Sequence, residues 1–238
     1  MFIIIKKKII SLIKIIGFYF NFSNEFHLSP ISIHYKKSIE ESYEYFKNYF
    51  NQTLLFTDIN EIREYAIEQA INNSSKDDLF IEFGVYKGDS INLFAKKLTK
   101  YNSNIYGFDS FLGLEEDWKG SFGYPKGSLS LEGKEPKVES NVILVKGRVE
   151  ESLNSFINKK NENKIIFAHL DLDTYNSTKY VLNFIKPKLK KNSIIIFDEL
   201  YGYPGWKENE FKALSEEFSA KDFDYIAFGK RQAVIKIK

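Results

Sequence analysis

The chain has no cysteine, one methionine, three histidines and five prolines in 238 residues. Without cysteine neither disulfides nor thiolate metal sites can form, so any metal must rest on oxygen or imidazole ligands. A cytoplasmic location fits this composition. An excess of one charge is also lacking, since 34 Lys and Arg face 32 Asp and Glu, for a formal charge of +2. That balance excludes the broad basic footprint of a dedicated nucleic-acid binder. Missing too is an unbroken apolar run of the roughly 20 residues that a membrane-spanning helix needs. Residues 1–22 come nearest, with Ile3-Ile4-Ile5, Lys6-Lys7-Lys8 and an apolar run broken by Lys14. Four lysines and no small-residue cleavage site argue against both a span and a signal peptide. The segment reads as a helix packed on the body or on a partner; the alternatives are a helix lying on a membrane surface, which would make the protein membrane-associated, and a poorly ordered extension.

What is present organises the remainder into three parts: the apolar and basic segment 1–30, a helical cap over residues 31–75, and an α/β domain over residues 76–238. Residues 38–50 and 58–72 have helical spacing, the second opening on Asp58, a good N-cap. The aromatic stripe of the first, with Tyr43, Phe46 and Phe50, reads as core packing, or as part of an acceptor pocket or a homo-oligomer contact. From Asp78 on, short β-branched runs alternate with amphipathic stretches. Strands are expected at 79–83, 104–108, 141–145, 164–170, 193–197, 225–228 and 232–237, with helices at 89–99, 149–158, 177–189 and 208–218. This alternation predicts a doubly wound, Rossmann-like sheet of seven strands, mostly parallel. Only Gly229, Lys230 and Arg231 separate the last two, which is hairpin spacing, so one strand should be antiparallel.

Two features at strand ends carry chemistry. The first is Glu82-Phe83-Gly84-Val85-Tyr86-Lys87-Gly88-Asp89-Ser90, a strand, a glycine turn and a helix start. Its G-x-x-x-G spacing lacks the third glycine of a dinucleotide fingerprint. Asp109 ends the next strand, where an acid can hold the two hydroxyls of a ribose, or can merely cap a turn. Together they suggest an adenosine-bearing cofactor without a pyrophosphate.

The second feature is acidic. Asp171-Leu172-Asp173-Thr174-Tyr175 follows one buried run and Asp198-Glu199 follows another. Carboxylates at neighbouring strand ends meet in the crevice where open α/β sheets bind ligands, and like charges gathered there call for a hard cation. The ordinary alternative for Asp173 or Thr174 is to cap the following helix. His169 lies on the same side as Asp171 and reads as a satisfied strand histidine or a further ligand. Two loops, residues 113–140 with Trp118, Phe122 and Tyr124, and residues 201–206, are rich enough in glycine and aromatics to form lids over this edge.

Glu82-x-Gly84-x-x-x-Gly88, Phe108-Asp109-Ser110-Phe111-x-Gly113-Leu114, His169-Leu170-Asp171-x-Asp173-x-Tyr175 and Phe197-Asp198-Glu199, in this order, resemble the macrocin O-methyltransferase family. These are class I S-adenosylmethionine-dependent enzymes, many of which methylate sugar hydroxyls with the help of Mg²⁺. The resemblance covers residues 79–238 and implies that Glu82, Gly84, Gly88 and Ser90 line the methionine end of S-adenosylmethionine. It further implies that Asp109 and Ser110 hold the ribose and that Gly147 and Arg148 lie near the adenine. Family pattern maps Asp171, Asp198 and Glu199 onto Mg²⁺ ligands and Asp173 onto the general base, with Glu199 standing where relatives often have Asp. The implied acceptor is a sugar or glycosylated small molecule. A nicotinamide-dependent oxidoreductase on the same kind of sheet, and a non-catalytic membrane-associated protein that keeps only the fold, are the competing readings.

Overall fold

A computed structural model describes residues 29–120, 123–160 and 162–238. The expectations for residues 1–22, including contact with a membrane surface, lie outside the described residues. Among those described, no helix is long and apolar enough to cross a membrane.

Helix α1 (Pro30–Phe50) starts earlier than its periodicity suggests, because Ser29 accepts the N–H of Ser32 at 3.1 Å and Pro30 takes the first turn. Helix α2 (Ile59–Asn72) begins as expected, with Asp58 accepting the N–H groups of Asn60 and Glu61. The later helices are α3 (Asp89–Thr99), α4 (Val149–Lys159), α5 (Tyr175–Ile185) and α6 (Glu210–Glu217). Helix α5 is shorter than expected. It gives way to a 3₁₀ turn over Lys186–Lys188 because Pro187 offers no N–H to continue it, and the next strand then starts at Leu189.

The seven expected strands are joined by an eighth. They are β1 (Leu54–Leu55), β2 (Leu79–Phe83), β3 (Ile105–Asp109), β4 (Val142–Lys146), β5 (Ile165–Leu170), β6 (Leu189–Phe197), β7 (Phe223–Phe228) and β8 (Ala233–Ile237), in the order β1-β7-β8-β6-β5-β2-β3-β4. The two-residue β1 pairs in parallel with the edge of β7, and two residues hold no period that a sequence pattern could show. Strand β8 alone runs antiparallel, to both β6 and β7.

Each face of the sheet has its own core. Leu79, Ile81 and Phe83 of β2 pack with Leu153 of α4, Val181 of α5 and Leu214 of α6, with Phe46 of α1 in the same cluster. Phe80, Phe167 and Ile196 point the other way, among Ile62, Ala66 and Ile67 of α2 and Phe94 of α3. Strand alternation therefore assigns Glu82, His169 and Asp198 to the α2–α3 face. The central strands are buried on both sides, which is why they read as continuous apolar runs.

Candidate functional site

Strands β2, β5 and β6 leave the sheet at one edge in register. Asp171 donates its N–H to Phe83 O at 2.9 Å, and Asp198 donates its N–H to Leu170 O at 3.0 Å. The carboxylates that follow each strand are thereby brought side by side. A cleft of about 260 Å³ opens there, lined by Gly84, Asp109, Ser110, Gly147, Arg148, Asp171, Asp173 and Glu199 among others. The glycine-turn half and the acidic half thus face the same space.

Gly84 explains their closeness. It adopts φ +88, and a Cβ there would lie 1.8 Å from the carbonyl oxygen of Asp171. Glycine is needed for the approach of the chain to itself, as well as for any ligand. Asp109 is anchored in the same turn: Oδ2 accepts the N–H groups of Val85 and Tyr86 at 2.9 and 2.8 Å, and Oδ1 accepts that of Phe111 at 2.6 Å. A carboxylate has about four acceptor positions, so one remains for a ribose hydroxyl. Ser110 Oγ accepts the N–H of Leu112 at 3.2 Å, which leaves its own proton to donate. Arg148 forms an ion pair with Glu115 at the cleft wall.

Glu82, Gly88, Ser90 and Asp198 do not line the cleft. Glu82 is fully buried; its Oε1 accepts from Ser90 Oγ and lies 3.1 Å from His169 Nδ1. The opposite ring nitrogen, Nε2, lies 3.3 Å from Asp198 Oδ1. With a carboxylate at each nitrogen, the imidazole donates on both sides and is protonated. Burial opposes that charge, but hydrogen bonds to Asp198 and Glu82 outweigh it and push the imidazole up to about 9. His169 is therefore satisfied, as one of the two expectations for it holds.

The acids divide by partner. Burial works against the Asp198 carboxylate, yet His169 and Arg63 hold it well below the usual range. His169 and Arg63 also act on Asp171, and the Glu199 N–H on Glu210, but there burial and the neighbouring acids outweigh them, and nothing offsets burial at Asp173 and Glu199. Burial, then the charge of Asp198, pushes Asp173 up to about 7. Burial and the neighbouring acids raise Asp171 and Glu199 well above the ordinary carboxylate value. Ligand atoms of Asp171, Asp173 and Glu199 lie within 4.8 Å of one another, as do those of His169, Asp171 and Asp198. Asp171 belongs to both groups. Buried Glu199 Oε2 has no hydrogen-bond partner among the described residues. Crowded oxygens with an unpartnered member suit a hard cation, so the residues present fit Mg²⁺. The ordinary use of the 171–175 stretch is not made: Thr174 sits at the N-cap of α5 without a side-chain capping bond, and Asp173 holds a left-handed φ of +63.

The two aromatic loops differ in role. Trp118 and Tyr124 of the first line the cleft, with ring centroids 5.4 Å apart. Tyr201, Tyr203 and Trp206 of the second do not line it, contrary to the expectation of a lid. Tyr201 and Trp206 turn inward and pack against Phe46 of α1, at 5.3 and 5.8 Å, because their large apolar area is better buried than held over an open cleft.

Three polar residues near the site carry no motif. Arg63, on α2, donates to Asp198 Oδ1 at 2.7 Å. Gln232 donates to the same oxygen from the turn before β8. Glu210, the first residue of α6, is fully buried and accepts the N–H of Glu199 at 3.1 Å. The one sequence signal for them was a charge on an apolar helix face, Arg63 between Ile62 and Ala66.

Comparison with known proteins identifies the family and the fold. Residues 81–200 match the model of a family described as a methyltransferase domain. The crystal structure of CalS11, a calicheamicin methyltransferase, is similar at a TM-score of 0.65 and 22% identity, covering 88% of this chain and 94% of that one. An apo structure of CalS11, described as a TDP-rhamnose 3'-O-methyltransferase of calicheamicin biosynthesis, matches at 0.55 and 27% identity over 74% of this chain and 77% of that one. The O-methyltransferase NovP matches at 0.57 and 18% identity, covering 75% and 79%. Among curated proteins there is no match.

Proposed function

The chain belongs to the methyltransferase-domain family matched over residues 81–200, and on that premise we propose that it transfers the methyl group of S-adenosylmethionine to a hydroxyl oxygen of a sugar-containing small molecule, assisted by Mg²⁺. One observation carries this reading: the glycine turn with Asp109 and the acid cluster of Asp171, Asp173 and Glu199 line a single cleft. Family membership argues against the nicotinamide-dependent reading, and turnover is what separates methyl transfer from the non-catalytic one.

S-adenosylmethionine supplies an electrophilic methyl on a cationic sulfonium, and Mg²⁺ supplies charge that favours ionisation of an alcohol. The rest falls to the chain. Gly84, Asp109, Ser110, Gly147 and Arg148 line the cleft and would take the cofactor there. Asp171 and Glu199 are the carboxylates of the cleft that would hold the ion, with Asp198 adjoining Asp171 from behind. Asp173 faces the same space and takes the acceptor proton; a carboxyl near neutrality is better matched to that task than an ordinary aspartate. Trp118 and Tyr124 offer flat apolar surface on which a sugar can stack, and they exclude water from a step in which charge is neutralised. The relationship to a TDP-rhamnose 3'-O-methyltransferase favours a deoxysugar or glycoside acceptor.

Asp173→Asn separates catalysis from binding. Turnover with labelled S-adenosylmethionine and an accepting glycoside should fall by about 100-fold or more, while calorimetric affinity for S-adenosylhomocysteine stays within about threefold. Undiminished turnover in the variant would remove Asp173 from the reaction.

A further inference from the structure

Asp198 Oδ1 is surrounded by three donors from three separate elements. Arg63 reaches it from α2 at 2.7 Å, His169 from β5 at 3.3 Å, and Gln232 from the turn before β8. Oδ2 takes part in none of these bonds. Both Arg63 and Gln232 lie outside the 81–200 stretch that matches the methyltransferase family. We infer that Arg63 and Gln232 are positioning residues, which together with His169 pin one oxygen of Asp198 and thereby fix the carboxylate beside Asp171 for cation binding. This inference rests on the cation reading proposed above.

The surroundings of Arg63 support a role beyond stability. Its side chain rises from a helix face otherwise made of Ile62, Ala66, Ile67 and Ala70, and it is 8% exposed. A charge buried there must shed its water, and buried ion pairs generally fail to recover that cost against apolar replacements of similar volume. Arg63 Nε moreover has no hydrogen-bond partner among the described residues. A residue selected for packing alone would be apolar at this position. Placed here, the guanidinium fills one side of the Oδ1 shell, Gln232 fills another without adding charge, and His169 ties the group to Glu82 and Ser90 at the start of α3. The chain of bonds links the cofactor-side helix to the acid cluster. Groups that orient ligand carboxylates in this way set affinity, and their loss typically costs about 10-fold to 100-fold in metal binding.

Mn²⁺ binding to the full chain, followed by electron paramagnetic resonance, tests this without requiring an acceptor; calorimetry with S-adenosylhomocysteine reports whether the fold is intact. Arg63→Met and Gln232→Met should each weaken Mn²⁺ binding by about 10-fold or more and leave S-adenosylhomocysteine affinity within about threefold. Arg63→Lys, which keeps the charge but loses the planar fork, should recover part of the loss. Removing a cation that only repels the ion would tighten Mn²⁺ binding, and a residue that only supports the fold would leave it unchanged in folded protein; either result in both Met variants overturns the inference while the cation reading stands. Should Arg63→Met fail to fold, Gln232→Met decides by the same criterion. Wild-type protein that binds no Mn²⁺ overturns the cation reading and the positioning role together.

Discussion

At the scale of the residue, the cleft concentrates acids whose neighbours do not neutralise them. The Asp173 carboxyl is pushed up to about 7 by burial and then by Asp198, whereas in an unfolded chain it would titrate near 3.9. A carboxyl raised on folding binds its proton more tightly in the native state. Its contribution to stability is complete below about pH 3.9 and is lost as pH rises through about 7. Asp171 and Glu199 are raised in the same way, and a cation held by those two carboxylates offsets the loss and binds only when they are deprotonated. Mg²⁺ should therefore raise the melting temperature more at pH 8 than at pH 6, as differential scanning calorimetry would show; equal shifts at both values would mean that the ion does not bind these acids. The residues behind this prediction were visible in the sequence, because Asp171, Asp173, Asp198 and Glu199 each follow an apolar run and share a chemistry that needs no alignment to recognise. Arg63 showed only as a charge on an apolar helix face, and Glu210 and Gln232 were not visible. They reach the site across the fold from positions where a lone polar residue has no local pattern, and only tertiary packing brings them together.

At the scale of the element, the strands and helices that build the site were legible in their existence and order, since period and turn chemistry agree from Asp78 onward. Boundaries moved where a proline or a cap intervened, as at Pro187 and Ser29. Loops were less legible, because glycine and aromatic content marks an ordered loop without saying which way its rings turn. The structure resolves this for the two aromatic loops. They touch at Gly120 and Gly205, where a Cβ on Gly120 would come 2.3 Å from Pro204 O and where Asn209 Nδ2 donates to Lys119 O at 3.2 Å. Trp118 also meets Tyr203 at 5.9 Å between ring centroids. The inner loop is thus the support on which the outer loop carries Trp118 to the cleft. Gly120→Ala combines that clash with a φ of +81 and should displace the outer loop. We expect an increase of about 10-fold in the KM for the acceptor, the scale on which small misplacements of binding groups act, with S-adenosylhomocysteine affinity unchanged by calorimetry. An unaltered acceptor KM would show that the loop contact does not shape the acceptor side.

At the scale of the whole molecule, one sheet with a core on each face carries two half-sites to the same edge, and the N-terminal helices are integral to it. Helix α1 places Phe46 in one core, and α2 both covers the opposite face and delivers Arg63 to Asp198. The periodicity of α2 announces a buried face but not what its single buried charge meets. Membership of the methyltransferase family supports the proposal that methyl transfer takes place at this edge. The most direct measurement is methyl transfer itself: incubate the full chain with methyl-labelled S-adenosylmethionine and a panel of rhamnosides and other glycosides, with Mg²⁺ or with EDTA, and locate the label by mass spectrometry. The account predicts label on a sugar oxygen, lost in EDTA and restored by added Mg²⁺. Label on nitrogen or sulfur, or transfer that proceeds equally in EDTA, would contradict it.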